Sequence, residues 1–375
     1  MAKKELTLFL AHCPQMGFKR SMFILKNCSS LIDLKNNLER VFIESGLKGK
    51  HNLEATVKKF LNNFCVEDTI NKYKQKNIEI VSIYDDDYPS LLRQTYDFPP
   101  LIFCKGDIAL LRNSNSVGIV GARLASWYGK TIARDFGEKL SKRGIVIVSG
   151  MAKGIDACAH EGALQGRAKS IGVLGCGLDI VYPKENKKLF NKMEENGLLV
   201  STYPLGTKPI ARNFPARNRI ISGLSKGVVI VEAKRKSGAL ITTDFALEQG
   251  RDVFSVPGNI NSPLSMGTNH LIKEGAIVAT NVDAILAEYI KNNDLDIVDT
   301  DKINSVKLDK VEQKILEIAK GQRISFEQLV QEGNFSTDSL LAGLLTLEIK
   351  GLVKKDGNQM YIPVVTNIDT SGKIT

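Results

Sequence analysis

The sequence predicts an α/β protein built on a doubly wound, mostly parallel sheet, with a helical N-terminal domain before it and a C-terminal winged helix after it. Three observations carry that prediction. Between residues 78 and 290, short β-rich runs alternate with helical stretches, the pattern of repeated βα units. Most of those runs are near-continuous apolar stretches, as expected of parallel strands covered on both faces. The chain of 375 residues, 43% hydrophobic and 25% charged, is long enough for two or three domains, each with its own core.

In chain order, residues 1–77 read as helical. Leu31, Leu34, Leu38, Val41 and Phe42 recur at helical spacing, and so do Leu53, Val57, Phe60 and Leu61. Between them, Gly46–Lys50 is a glycine-containing turn, either an ordinary loop or a set of amides for a DNA backbone. Strands are expected at Glu79–Ile83, Ser116–Val120, Ile145–Ser149, Lys169–Leu174, Leu198–Thr202, Gly227–Val231, Asp252–Val256 and Ala276–Ala279. The intervening helices are Ser126–Arg143, Ile155–Gly166, Lys184–Asn196, Arg217–Leu224, Ala239–Gly250 and Gly267–Glu274. Lys291–Asn304 is polar and acidic and reads as a linker. Residues 305–365 give helices Leu308–Ala319, Ser325–Gln331 and Ser336–Lys350. A hairpin of Leu352–Lys355 and Gln359–Ile362 follows, turning at Asp356-Gly357. Helix, helix, helix, wing is a winged-helix order, and residues 366–375 are a tail.

Several classes of protein are excluded. No apolar run approaches the roughly 18 residues of a membrane span. The apolar stretch near Met1 is too short for a secretory signal. The six cysteines form no Cys-x-x-Cys pair, so neither a zinc site nor a disulfide framework is indicated. The expectation is a cytoplasmic chain with reduced thiols, no metal and no membrane partner.

Lys and Arg total 51 against 41 Asp and Glu, a net charge of +10. Residues 1–77 carry 14 cations and 7 anions. From Leu205 to Lys236 eight cations face a single acid, Glu232. That density is either a solvated basic face or a site for an anionic partner, of which a phosphate polymer is the obvious one.

At least five predicted strand ends carry chemistry. Gly121-Ala122-Arg123 runs into Ser126 and a long helix. Glycine lets a phosphate approach the backbone, a helix N-terminus offers free amides, and Arg123 supplies a fork. The spacing is not Gly-x-Gly-x-x-Gly, so a phosphate loop and a plain βα turn both fit. Ser149-Gly150-Met-Ala-Lys153-Gly154 repeats the theme with a hydroxyl, glycines and a cation. Asp156 and His160, four apart, share a helix face as a catalytic or a buried structural pair. Gly175 and Gly177 leave room for a ligand or make a tight turn. Arg212, Phe214, Arg217, Asn218 and Arg219 lie in the basic window. The arginines suit phosphates, and Phe214 either stacks on a base or packs in the core. The fifth end runs from Glu232 through Lys234 to Gly238, and Pro257-Gly258-Asn259 closes the series. In an open α/β sheet these ends share one edge, where ligands bind.

Taken together, these residues resemble the DprA/Smf family of bacterial DNA-processing proteins. The likeness runs from Asp87-Tyr88-Pro89 to Glu274-Gly275-Ala276. Its motifs are Gly121-Ala-Arg123-x-x-Ser126-x-Tyr128-Gly129, Ser149-Gly-x-Ala-x-Gly154-Ile-Asp156, Val173-Leu-Gly175-x-Gly-Leu-Asp179, Asn213-Phe-Pro-x-Arg217-Asn-Arg-Ile-Ile221, Ser237-Gly-Ala-Leu-Ile-Thr242 and Gly250-Arg-Asp-Val-Phe254. The resemblance implies an extended Rossmann-like core that binds single-stranded DNA, between a SAM-like helical domain and a winged helix. It also implies homodimerisation and loading of the RecA recombinase during natural transformation, with no cofactor and no catalytic residue. Its strand-binding roles carry over onto Gly121, Arg123, Ser126, Ser149, Gly150, Lys153, Gly154, Gly175, Arg212, Phe214, Arg217, Asn218 and Arg219. One departure is Ser201-Thr202-Tyr203-Pro204, where the family usually has Glu after the serine.

A competing reading is enzymatic. Related Rossmann-like proteins, the nucleoside-monophosphate phosphoribohydrolases, also use a glycine-rich phosphate loop. Their chemistry needs an acid near the ribose, and Glu232 or Asp156 is the candidate. Their Pro-Gly-Gly-x-Gly-Thr pattern is absent; Pro257-Gly258-Asn259 with the later Gly267-Thr268 is a partial echo. As for the winged helix, Ser336–Lys350 holds Asp338, Glu348 and only Lys350, so a protein contact is expected there rather than tight duplex binding.

Overall fold

Short apolar strands need neighbours on both sides, and here they find them in a single sheet. The computed structural model describes residues 2–44, 53–291, 309–319, 324–333, 335–349, 352–355 and 360–363. The chain divides into two units, Met1–Leu295 and Asp296–Thr375. The turn expected at 46–50, the linker beyond Lys291, the hairpin turn at 356–357 and the tail lie outside the described residues.

In the first unit nine strands form one sheet: β1 (Glu79–Ser82), β2 (Leu101–Gly106), β3 (Ser116–Val120), β4 (Val146–Ser149), β5 (Ser170–Leu174), β6 (Leu198–Ser201), β7 (Gly227–Ile230), β8 (Asp252–Ser255) and β9 (Ile277–Val278). Their order is β1-β2-β6-β5-β4-β3-β7-β8-β9. From β6 to β9 all pairs are parallel. β2 is antiparallel to both β1 and β6. The eight expected strands are present, and β2 is the one the sequence reading missed. It follows Pro99-Pro100 and runs against the βα alternation on which that reading relied.

The connecting helices are α7 (Ser90–Arg93), α8 (Trp127–Lys142), α9 (Ile155–Ala163), α10 (Lys187–Asn196), α11 (Asn213–Gly223), α12 (Gly238–Glu248), α13 (Met266–Lys273) and α14 (Val282–Lys291). They cover both faces. Alternate residues of β2 show this: Ile102 and Cys104 join a core with Leu92, Ile220, Ile221 and Ala246. Leu101 and Phe103 join another with Leu189, Phe190 and Met193. Helix α11 starts at Asn213, four residues ahead of the expected Arg217. Pro215 therefore sits inside its first turn, where a missing N–H costs nothing.

Residues 2–74 form α1 (Ala2–His12), α2 (Phe18–Asn27), α3 (Leu31–Asn36), α4 (Leu38–Glu44), α5 (Leu53–Asn63) and α6 (Val66–Lys74). They share a core of Leu6, Phe9, Leu10, Ile24, Leu34 and Phe42. Tyr73 ties them to the sheet: its ring stacks on Phe103 at 4.7 Å, and its hydroxyl accepts from the Leu205 amide at 3.1 Å.

In the second unit, α15 (Lys310–Ala319), α16 (Phe326–Gly333) and α17 (Thr337–Ile349) accompany a three-stranded antiparallel sheet. Its strands are β10 (Ile324–Ser325), β11 (Val353–Lys355) and β12 (Met360–Pro363), in the order β10-β12-β11. The core is Ile315, Leu316, Leu329, Leu340, Leu344 and Leu347. Asp309 and Glu312 cap α15 reciprocally, each carboxylate accepting the other's amide at 2.8 Å.

Candidate nucleic-acid interface

β3 lies between β4 and β7, so the chain reverses its direction of travel across the sheet there. The loops after β3 and β7 therefore diverge and leave a crevice at the strands' C-terminal ends. A groove of about 790 Å³ occupies it. Gly121, Arg123 and Leu124 line it from the β3 loop, Lys234, Lys236 and Gly238 from beyond β7, and Phe214, Arg217 and Asn218 from α11. A smaller cavity of about 80 Å³ adjoins it, lined by Arg123, Lys153, Gly175, Tyr182, Phe214 and Arg217.

Phe214 stands between the two. Its ring lies 5.4 Å from the Arg123 guanidinium and 5.4 Å from the Tyr182 ring. It is half-buried, so its ring is neither a core residue nor free. Gly175 is what admits it: a Cβ there would stand 3.1 Å from the ring. Arg123 is exposed, as are Lys234 and Lys236. Lys153, also exposed, is paired with Glu185 at 2.5 Å.

Arg217 is of a different kind. It is only 4% exposed and forms the floor. Its guanidinium donates to the carbonyls of Gly150 and Val173, and its Nε, among the described residues, has no partner. Burial lowers its proton affinity, and the Asp156 carboxylate opposes that effect.

Two carboxylates already occupy the amide sites that a phosphate would use. At the N-terminus of α8, Glu232 accepts from the Ser126 amide at 2.9 Å and the Ser126 hydroxyl at 2.5 Å. Gly129 leaves the slot for that carboxylate, since a Cβ there would overlap it. In the loop after β4, Asp156 accepts from the amides of Gly150 at 3.2 Å and Ala152 at 3.4 Å. Burial raises its pKa, opposed by Arg217. The rest of this loop is also held. Met151 donates its amide to His160 Nε2 at 3.4 Å, and Asn186 donates to the carbonyls of Met151 and Ala152 at 2.9 and 3.2 Å. His160 Nδ1 donates to Ser170 Oγ at 2.7 Å, whose hydroxyl donates on to Ile147. Asp156 and His160 therefore hold successive amides of one loop and do not form a pair.

The expected residues thus separate. Arg123, Lys153, Phe214, Asn218, Gly121, Gly150, Gly175 and Arg217 meet at the groove and its side cavity. Ser126 is engaged with Glu232. Ser149 is buried, its hydroxyl donating to Ile119 at 2.5 Å. Gly154 is the N-cap of α9 with φ +79°, a conformation glycine permits. Arg212 is exposed at the N-cap of α11. Arg219 points to the other side of α11 and pairs with Asp97 in a separate pocket with Phe18 and Tyr96. Sequence reasoning missed Asn186, which is far along the chain in an unremarkable Lys-Glu-Asn triplet. It also left Lys234 and Lys236 out of the site, although their charge was visible. Among the described residues no group of three or more His, Cys, Asp or Glu is placed to hold a metal, and no helix is long and apolar enough to cross a membrane.

Fold and site together define a Rossmann-like α/β protein with a cationic groove at the topological switch of its sheet. Residues 79–290 match the family of DNA recombination-mediator protein A. The chain belongs to this DprA/Smf family of DNA-processing proteins. It is 46% identical over 222 residues to protein Smf of Escherichia coli, covering 59% of each chain. It spans under two thirds of that relative's length. The X-ray structure of DNA processing protein A from Streptococcus pneumoniae is similar at a TM-score of 0.65 and 36% identity, over 76% of this chain and 97% of that one. The Helicobacter pylori DNA processing protein A, whose structure is described for its single-stranded DNA binding mode, matches with a TM-score of 0.52 and 33% identity. That match covers 57% of this chain and 97% of the other.

Proposed function

We propose that this protein is a non-catalytic recombination mediator that holds single-stranded DNA along the C-terminal edge of its sheet. The observation that carries this reading is the division of labour at the groove. Arg123, Lys234 and Lys236 are exposed and pair with no carboxylate among the described residues, while the amides at the α8 N-terminus and in the β4 loop are filled by Glu232 and Asp156. A free nucleotide's phosphate would compete with those carboxylates, whereas a polymer can use the side chains alone. Arg123, Lys234 and Lys236 contact the phosphates, Lys153 joins them on leaving Glu185, Arg217 holds the floor beneath, and Phe214 with Tyr182 takes a base. The single-stranded DNA binding named for the H. pylori relative supports the ligand class.

The remaining roles belong to the same reading. The protein works in the cytoplasm as a homodimer and loads RecA onto incoming strands in natural transformation. Residues 1–77 are a SAM-like domain, and residues 305–365 are a winged helix that contacts protein. The described part of α17 carries Asp338 and Glu348 with no cation, which does not suit a duplex major groove. The nucleotide-hydrolase alternative loses its acids: both oxygens of Glu232 serve Ser126, and Asp156 holds backbone amides.

The test is anisotropy of labelled oligo-dT over a salt series. With about five phosphates neutralised, log K falls against log salt with a slope of about −3.5. Arg123→Ala lowers both affinity and slope. Binding unaffected by salt and by this variant, or nucleotide release abolished in Glu232→Gln, sinks the reading.

A further inference from the structure

The chain contains a single tryptophan, and no core claims it. Trp127 is the first residue of α8 and is 81% exposed. Leu124, three residues earlier, is 84% exposed and lines the groove beside Arg123. Exposed apolar side chains therefore stand on the groove's lining and three residues beyond it along the chain. The backbone that presents Trp127 is fixed. Ser126 caps the helix through the Gly129 amide at 3.1 Å, Thr131 donates to the Trp127 carbonyl at 2.9 Å, and Tyr128 donates to Pro257 at 3.0 Å. Exposed cations lie four residues before Trp127 and three after it, Arg123 in the loop and Lys130 on the same helix. The nearby acids are committed elsewhere: Glu232 is buried on Ser126, and Glu161 is paired with Arg134 at 2.6 Å. A large exposed aromatic on a fixed backbone, with cations before and after it in the chain that pair with no carboxylate among the described residues, suits a nucleobase between its two phosphates.

We infer that Trp127 is a stacking platform for one base of the strand as it leaves the groove beyond Arg123. This rests on the single-stranded DNA reading above and adds a nucleotide site that the sheet-edge pocket does not contain.

Because Trp127 is the chain's only tryptophan, its emission reports this site alone. Oligo-dT is titrated into the full-length protein while tryptophan emission and anisotropy of the labelled oligonucleotide are both recorded. The expected result is quenching that saturates at the anisotropy midpoint. Trp127→Ala weakens binding about 5- to 150-fold, the range for one base–aromatic stack, and leaves the salt slope unchanged because no cation is removed. Trp127→Phe retains most of the affinity. A thermal midpoint equal to wild type in Trp127→Ala excludes misfolding. Binding by anisotropy with steady emission and an unaltered Trp127→Ala affinity overturns the platform and leaves the DNA reading standing. No binding at low salt overturns both. A changed oligomeric mass in Trp127→Ala at unchanged DNA affinity assigns the face to a second copy of the chain and also overturns it.

Discussion

Arg123 and Arg217 have the same chemistry and sit in the same motif-rich edge, yet their energetics are opposite. Arg123 is exposed, so its loss to alanine changes folding stability by no more than about 0.5 kcal/mol. Arg217 is buried and donates to two carbonyls, and its charge favours the ionised form of Asp156. Arg217→Ala strands both buried carbonyls and costs about 2–4 kcal/mol. Urea titration of the two variants checks this; equal stabilities would mean that Arg217 is a surface ligand after all. The sequence marks both arginines as functional because residue type and position near a strand end are all it shows. Which of them faces solvent depends on where each sits: Arg123 on the loop after β3, Arg217 on the inward side of α11. Arg219, only two residues from Arg217, is turned to Asp97.

At the scale of elements, the strand ends were legible and the capping of the helices was not. Continuous apolar runs mark parallel strands however they are ordered, so eight of the strands stood out. β2 did not, because an antiparallel strand inserted beside β6 needs no crossover helix to announce it. The Gly121–Ser126 turn had the composition of a phosphate loop. Its real anion, Glu232, comes from the end of a strand about a hundred residues later, a pairing that only the sheet order creates. Gly129 belongs to the same device. In an exposed helix, Gly→Ala gains about 1 kcal/mol. Here Gly129→Ala is expected to destabilise, because its methyl displaces the Glu232 carboxylate. Glu232→Ala should cost about 2 kcal/mol through the lost cap. The double variant should be no less stable than Glu232→Ala alone. Additive losses in chemical denaturation would show that the glycine and the carboxylate are independent.

For the whole molecule, the buried loop clamp sets a dependence on pH. Burial pushes His160 down to about 3 from its ordinary 6.5, so the native state leaves it neutral. Below pH 6.5 the unfolded chain takes up a proton that the folded chain refuses. Stability from this group is therefore complete above pH 6.5 and falls as pH drops toward 3, by up to about 1.4 kcal/mol per unit. His160→Gln should flatten that decline relative to wild type; parallel stability curves would place the titration elsewhere. The two carboxylates of the groove carry the last consequence. By filling those amide cups themselves, they keep a lone phosphate out of them. What remains is a row of separate, individually weak side-chain contacts. On the proposed reading, a mononucleotide meets one or two of them, while a strand engages all of them at once, each contact raising the effective concentration of the next. In the proposed function, selection by length is thus built in, and free nucleotides are poor competitors for the groove.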